Sequence, residues 1–87
     1  MKSVVVEVRN ESGLHARPAA VLVRAAAGFR SRIGLENTTT PVTPEADAKS
    51  LVGVLAAGIE KGHRVRIWAD GEDEDEALSA LSEVITA

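Results

Sequence analysis

The spacing of apolar residues switches repeatedly between a period of two and a period of three to four along this chain. Alternation over Ser3–Arg9 and Ser31–Glu36 predicts two strands, and helical spacing over Ala16–Gly28 predicts a helix between them. The later elements are a turn at Asn37–Thr40, a weak strand around Pro41–Val42, a helix ending near Gly58 or Gly62, a strand at Arg64–Ala69 and a last helix carrying Ala77, Leu78, Leu81, Val84 and Ile85. The order β-α-β-β-α-β-α predicts an α+β fold: a two-layer, open-faced sandwich with helices on one face of a four-stranded sheet.

Size and composition limit what this fold can contain. A chain of 87 residues is expected to form one domain, spanning residues 1–87. Phe29 and Trp68 are its only aromatic residues, so small aliphatic side chains must fill the core, and the stacking platforms of single-strand nucleic-acid binders are not expected. Cysteine is absent, which excludes disulfides and thiolate metal sites.

No apolar run reaches the roughly 18 residues that a membrane span requires, and Met1-Lys2-Ser3 does not begin a signal peptide. We therefore expect a soluble cytoplasmic protein without membrane attachment. Size and surface polarity favour a monomer.

Charge is distributed unevenly along the sequence. Residues 1–34 carry +4, residues 35–68 are neutral and residues 69–87 carry −7. The N-terminal part therefore offers a positive surface to an anionic partner, whereas a pI near 5.3 argues against general nucleic-acid binding. The acidic block 72–76 is interpreted as the first turn of the last helix, because it does not match a calcium-binding loop.

The segment from Gly13 to Pro18 is the strongest candidate site. Pro18 suits the first turn of a helix, and Gly13 allows the incoming chain to turn. Backbone amides of Ala16 and Arg17 and the Arg17 side chain can hold phosphate oxygens. The same helix end favours neutral imidazole at His15, whose lone pair is a nucleophile.

Other interpretations of His15 are a solvated or capping residue, and the general base of a small hydrolase. No serine, carboxylate or metal partner for a hydrolase is evident in the sequence. His63, the only other histidine, is most simply an exposed loop residue, so no metal site and no cofactor are expected.

The motif GLHARPAA resembles the active-site signature of the histidine phosphocarrier protein HPr of the bacterial phosphoenolpyruvate-dependent sugar phosphotransferase system. The segment 49–55, Ala69-Asp70-Gly71 and the acidic last helix extend the resemblance over nearly the whole chain. It implies an antiparallel sheet with three helices and a cytoplasmic phosphoprotein that serves sugar transport. It also implies a phosphohistidine at Nδ1 of His15, formed from phospho-Enzyme I, passed to a IIA component and stabilised by Arg17. Such a protein is a phosphoryl-carrying co-substrate rather than an enzyme.

Two surfaces are candidates for partner docking. Arg17, Ala20, Arg24 and Ala27 share one face of the first helix, which periodicity alone does not distinguish from an ordinary solvated face. In the second helix, Val54 and Ala57 resemble buried positions of the family, which leaves Leu51, Val52 and Leu55 as an exposed apolar patch beside His15. A regulatory binding module that uses this surface without phosphotransfer is the alternative function.

Ser50 aligns with a serine that a dedicated kinase, opposed by a phosphorylase, modifies in some members of the family. The segment Thr43–Asp47 is longer than the family pattern, and either Thr43 or Asp47 is a candidate cap for the second helix. If Thr43 is the cap, Ser50 lies about two turns inside, where a phosphate lacks free amides. If Asp47 is the cap, Ser50 remains in the first turn. We therefore expect a packing role for Ser50 rather than regulation.

Overall fold

The computed structural model describes residues 1–87 and confirms the predicted order of elements. The strands and helices are β1 (Lys2–Glu7), α1 (Ala16–Ala27), β2 (Arg32–Asn37), β3 (Ala46–Asp47), α2 (Leu51–Ala56), β4 (Arg64–Asp70) and α3 (Glu74–Thr86). The strands form one antiparallel sheet in the order β1-β4-β2-β3. The fold is therefore the predicted α+β open-faced sandwich with three helices. None of these helices is long and apolar enough to cross a membrane.

Alternation in the strands determines which side chains reach the core. Val65 and Ile67 of β4 are fully buried, and their register neighbours Val6 and Val4 of β1 pack against the same core. On the other side of β4, Leu35 lies opposite Ile67. The predicted inward residues of β1, β2 and β4 are thus confirmed.

Small aliphatic side chains fill the interior, as the composition predicts. Nineteen buried hydrophobic residues form one cluster, in which α1 contributes Ala19, Leu22 and Ala26. The buried residues of α3 are Ala77, Leu78, Leu81 and Ile85. Neither aromatic residue is fully buried: Phe29 packs against the core while partly exposed, and Trp68 lies on the outer face of the sheet.

The third strand is not where the sequence placed it. Pro41 and Val42 lie in turns, and Val42 is 93% exposed. Asn37 accepts hydrogen bonds from the amides of Thr39 and Thr40 through Oδ1, which holds the chain in a turn directly after β2. The strand forms later, where Ala46 and Asp47 pair with Leu35 and Gly34. Pairing, rather than local β propensity, decides its position.

Both predicted starts of α2 are wrong, because Ser50 is the residue that caps this helix. Its hydroxyl accepts a hydrogen bond from the amide of Gly53 at 3.1 Å. Asp47 belongs to β3, and its carboxylate accepts from the amide of Lys49 in the tight connection to the helix. The helix ends at Ala56, and Gly58 with φ +60° follows, as predicted.

The outer face of the sheet is partly covered by Trp68, which lies over Gly34 of the neighbouring strand. A Cβ atom at Gly34 would stand within 2.5 Å of three atoms of the indole ring. Nε1 of Trp68 donates a hydrogen bond of 2.6 Å to Glu45. The prediction that Arg64, Arg66 and Trp68 point away from the core is confirmed.

The acidic block begins α3, as predicted. Glu74, Asp75 and Glu76 occupy its first turn, where carboxylates complement the helix dipole. Asp73 is the capping residue, but its carboxylate binds the amides of Arg30 and Ser31 instead of its own helix. It therefore joins α3 to the chain that enters β2.

Candidate functional site

The loop before α1 sets the position of His15. The amide of Gly13 donates to the carbonyl of Asn10, and Gly13 adopts a left-handed φ of +62°. Leu14 is buried, with only 3% of its surface exposed, and its amide donates to the carbonyl of Ile59 at 2.9 Å. The backbone leading into His15 is thus held against the loop that follows α2.

Gly13 also permits the close approach of these two loops. A Cβ atom at this position would lie 2.5 Å from the carbonyl oxygen of Ile59 and 2.8 Å from Cα of Glu60. Any other residue would separate the loops in addition to straining its own backbone.

His15 is the capping residue of α1, as its position in the sequence indicated. Its backbone is extended (φ −78°, ψ −169°), and its carbonyl accepts from the amide of Ala19 at 2.9 Å. The side chain caps no amide and is 61% exposed. The imidazole is therefore accessible to a partner protein at the start of a helix.

The first turn of α1 offers two free amide donors beside this imidazole. Helix geometry leaves the N–H groups of Ala16 and Arg17 without an acceptor inside the helix, and Pro18 has no N–H group. The N-terminus of a 12-residue helix also carries a positive partial charge. Arg17 is exposed and forms no ion pair in the structure. This end of α1 can accept a phosphoryl-sized anion.

A carboxylate that the local sequence did not predict lies near Nε2 of the His15 ring. Oε1 of Glu60 is 3.4 Å from Nε2 of His15, whereas Nδ1 of His15 forms no hydrogen bond. The two residues are 45 positions apart, so no local spacing could have indicated the contact. It results from the pairing of the loops at Gly13 and Ile59.

His63 is a loop residue, as predicted, but it is not exposed. It is half-buried, and its Nδ1 receives hydrogen bonds from the amide of Glu60 and from Nδ2 of Asn37, both at 3.1 Å. A ring nitrogen that accepts hydrogen bonds carries no proton, so the geometry corresponds to neutral His63 protonated at Nε2. No group of three potential metal ligands is found, at either histidine or elsewhere.

The predicted docking residues differ in exposure. On α1, Arg24 and Ala27 are exposed and Ala20 is half-buried. The apolar patch of α2, here called the α2 patch, consists of Leu51, Val52 and Leu55, which are 41%, 79% and 42% exposed. Val54 and Ala57 are fully buried, as expected. The accessibility that docking requires is therefore present in both helices.

Ser50 lies at the start of α2, half-buried and engaged with Gly53. A start of α2 at Thr43 would place Ser50 inside the helix, but Ser50 is the residue that caps its N-terminus. The contact that the structure shows for Ser50 is the hydrogen bond from the amide of Gly53, which caps the helix.

Known proteins are similar to this chain in fold and in sequence. Residues 2–87 match the family model described as the PTS HPr component phosphorylation site. The chain is 46% identical over 80 residues to the multiphosphoryl transfer protein of Salmonella typhimurium. The aligned region covers 92% of this chain and 21% of that protein. It thus spans about a fifth of the length of that curated relative.

Two solved structures extend the comparison. HPr from Thermoanaerobacter tengcongensis is 41% identical with a TM-score of 0.88, covering 98% of this chain and 91% of that one. Crh, a catabolite repression protein of Bacillus subtilis solved as a domain-swapped dimer, is 40% identical with a TM-score of 0.73, covering 92% and 87%. With the family model matched over nearly all its residues, this chain belongs to the HPr family of the phosphotransferase system.

Proposed function

We propose that this chain carries phosphoryl groups, accepting them on His15 from phosphorylated Enzyme I and passing them to a IIA component. One observation supports this above the others: Nδ1 of an exposed imidazole is free of hydrogen bonds at the N-terminus of α1. A neutral ring with this lone pair is a nucleophile, and the adjacent amides stabilise the oxygens of the incoming group.

In the proposed transfer, the lone pair of Nδ1 attacks the phosphorus atom of the donor. A P–N bond forms at His15 while the bond between phosphorus and the donor breaks, and its electron pair leaves with the donor. The N–H groups of Ala16 and Arg17 and the Arg17 guanidinium bind the three phosphoryl oxygens. Transfer to the acceptor reverses these steps, so the chain is a co-substrate of its partner enzymes.

We further propose that the α2 patch and the basic face of α1 contact both partners. An exposed apolar patch on α2, together with exposed Arg17 and Arg24 on the adjacent helix α1, suits a transient interface with acidic proteins. A carrier must leave each partner quickly, so a small interface is appropriate.

The test is incorporation of labelled phosphate from phosphoenolpyruvate in the presence of Enzyme I. We expect one acid-labile, base-stable phosphate per chain, and none in His15→Ala. His63→Ala is the control for the other histidine, and at the end point of the reaction it should still carry one phosphate per chain. Equal labelling of wild type and His15→Ala would contradict the proposal.

A regulatory binding module is the second candidate, supported by the structural similarity to Crh. It would use the same surface without transferring phosphate. Its signature is tight partner binding that is unchanged in His15→Ala, together with no labelling of the wild type.

Regulation at Ser50 stays a hypothesis. Modification by a serine kinase would exchange the hydroxyl that caps α2 for a phosphate, which adds negative charge beside the α2 patch. Stoichiometric phosphoserine at Ser50 after treatment with such a kinase, reversed by a phosphorylase, would establish it. An unmodified Ser50 would leave helix capping as its role.

We also propose that the carrier is monomeric and acts in the cytoplasm. The domain-swapped dimer of Crh is the alternative assembly within this fold. Sedimentation equilibrium should give the mass of one chain, 9.1 kDa.

A further inference from the structure

The carboxylate of Glu60 approaches the ring nitrogen that the proposed transfer does not use. We propose that Glu60 is a positioning residue for His15: it accepts the Nε2–H hydrogen bond and so favours the tautomer whose Nδ1 carries the lone pair. This inference deepens the proposed function and rests on it. Its basis is the contact of 3.4 Å between Oε1 of Glu60 and Nε2 of His15.

The backbones on both sides of this contact are fixed, although the two side chains are exposed. Leu14, the neighbour of His15, donates its amide to the carbonyl of Ile59, the neighbour of Glu60. Ile59 is itself buried, with 2% of its surface exposed. The close approach at Gly13 holds the same two loops together. The side chains therefore start from adjacent, anchored positions.

His63 holds the loop of Glu60 from the other side. Its Nδ1 accepts from the Glu60 amide, and its own amide donates to the Glu60 carbonyl at 3.1 Å. The carbonyl of His63 accepts from Val8, and Asn37 binds both the His63 ring and the carbonyl of Ala57. Both polar groups of the Glu60 backbone are thus committed to this turn, which limits where its carboxylate can reach.

The carboxylate of Glu60 has no other partner. Lys61, the adjacent cation, is paired with Glu11 at 2.7 Å, and the only contact found for the Glu60 side chain is with His15. A carboxylate can only accept a hydrogen bond, so the contact requires a proton on Nε2. In a neutral ring that proton leaves Nδ1 as the nucleophilic atom.

The same contact acts after phosphorylation. When Nδ1 of this tautomer bonds to phosphorus, Nε2 keeps its proton and the ring gains positive charge. Glu60 then lies beside the charged N–H group, on the ring atom that does not hold the phosphoryl group. It stabilises the phosphorylated ring by charge as well as by hydrogen bonding.

The test measures the tautomer of His15 in the unphosphorylated protein, by nitrogen-15 chemical shifts of the ring at a pH where it is neutral. We expect the ratio of Nε2–H to Nδ1–H to fall about two- to five-fold in Glu60→Ala, the range of an exposed charge-assisted contact. Glu60→Gln, which keeps an oxygen acceptor without the charge, should recover part of the ratio.

Glu7→Gln is the matched control, because it removes an exposed carboxylate without an ion pair at the end of β1 and leaves the pair of Lys61 with Glu11 intact. Its tautomer ratio should equal that of the wild type. An unchanged ratio in Glu60→Ala would overturn the inference, and so would an equal fall in Glu7→Gln, which would indicate a general charge effect. The tautomer ratios are measured without a phosphate donor. Failure of the inference about Glu60 can therefore be distinguished from failure of His15 to accept phosphate.

Discussion

The carboxylate of Asp73, at the start of α3, accepts a hydrogen bond from the hydroxyl of Ser31, immediately before β2. It also accepts from the amides of Arg30 and Ser31, and Ser31 is 1% exposed. This one side chain therefore connects the last helix to the middle of the chain.

These contacts make Asp73 a source of pH-dependent stability. The hydroxyl of Ser31, followed by the amide of Arg30, lowers the pKa of Asp73 from 3.8 to about 2. Because the pKa is lowered in the folded state, the contribution is complete above about pH 4 and disappears as the pH falls towards 2. In urea unfolding, Asp73→Asn should be less stable than wild type at pH 7, and the difference should shrink between pH 4 and pH 2. A difference that is constant over this range would contradict the assignment.

Gly34 is required by the indole ring above it. We expect Gly34→Ala to displace Trp68 and break its hydrogen bond to Glu45, destabilising the fold by about 1–3 kcal/mol. Trp68 is the only tryptophan, so its fluorescence reports the change directly. Glu45→Gln, which leaves the ring in place, should alter stability less. Native-like fluorescence and stability in Gly34→Ala would contradict the packing.

Arg17 should act in the transfer step and Arg24 in docking. Replacing Arg17 by alanine removes a permanent charge beside the phosphoryl group, and we expect transfer from Enzyme I to slow about 10–100-fold, mainly in kcat. Arg24→Ala removes the same charge two turns further along α1. It should raise KM with little change in kcat. Rapid-quench measurements with both variants separate these roles, and equal effects on kcat would contradict them.

Val52 lies in the α2 patch. Val42 is an exposed valine outside the patch and serves as its control. Both side chains are largely exposed, at 79% and 93%, so a lysine at either position should change stability by less than about 0.5 kcal/mol. We expect Val52→Lys to raise KM for Enzyme I about 10-fold by placing a charge in an apolar interface. Val42→Lys should leave KM unchanged. Similar KM values for the two variants would exclude the patch as a docking surface.

Much of the fold could be predicted because local patterns and long-range packing agree in this chain. Alternation identified the inward faces of β1, β2 and β4, and helical spacing identified those of α1 and α3. The position of β3 could not be predicted, since two residues carry no periodicity and their pairing with Gly34 and Leu35 decides the strand. The start of α2 was missed for a similar reason. Of its two candidate caps, Asp47 pairs with Gly34 in β3, and the hydroxyl of Thr43 donates to the carbonyl of Thr40 in a bend before that strand.

In the candidate site, too, local sequence predicts some features and long-range contacts decide the others. The end of α1 that is proposed to accept phosphate is a local feature, and Gly13, His15, Arg17 and Pro18 indicate it directly. The contacts of Glu60 and His63 arise where loops distant in sequence meet, so the residues give no sign of them in advance. Family resemblance did not supply them either, because none of the motifs that carried it includes the loop of Glu60 and His63.

We propose Nδ1 of His15 as the atom that receives the phosphoryl group. Phosphorus-31 and nitrogen-15 magnetic resonance of the protein after incubation with phosphoenolpyruvate and Enzyme I measures this directly. We expect one phosphorus signal, coupled to Nδ1 of His15 and not to Nε2. A phosphate on Nε2, on His63 or on a serine, or an unaltered His15 ring in the presence of an active donor, would contradict the account.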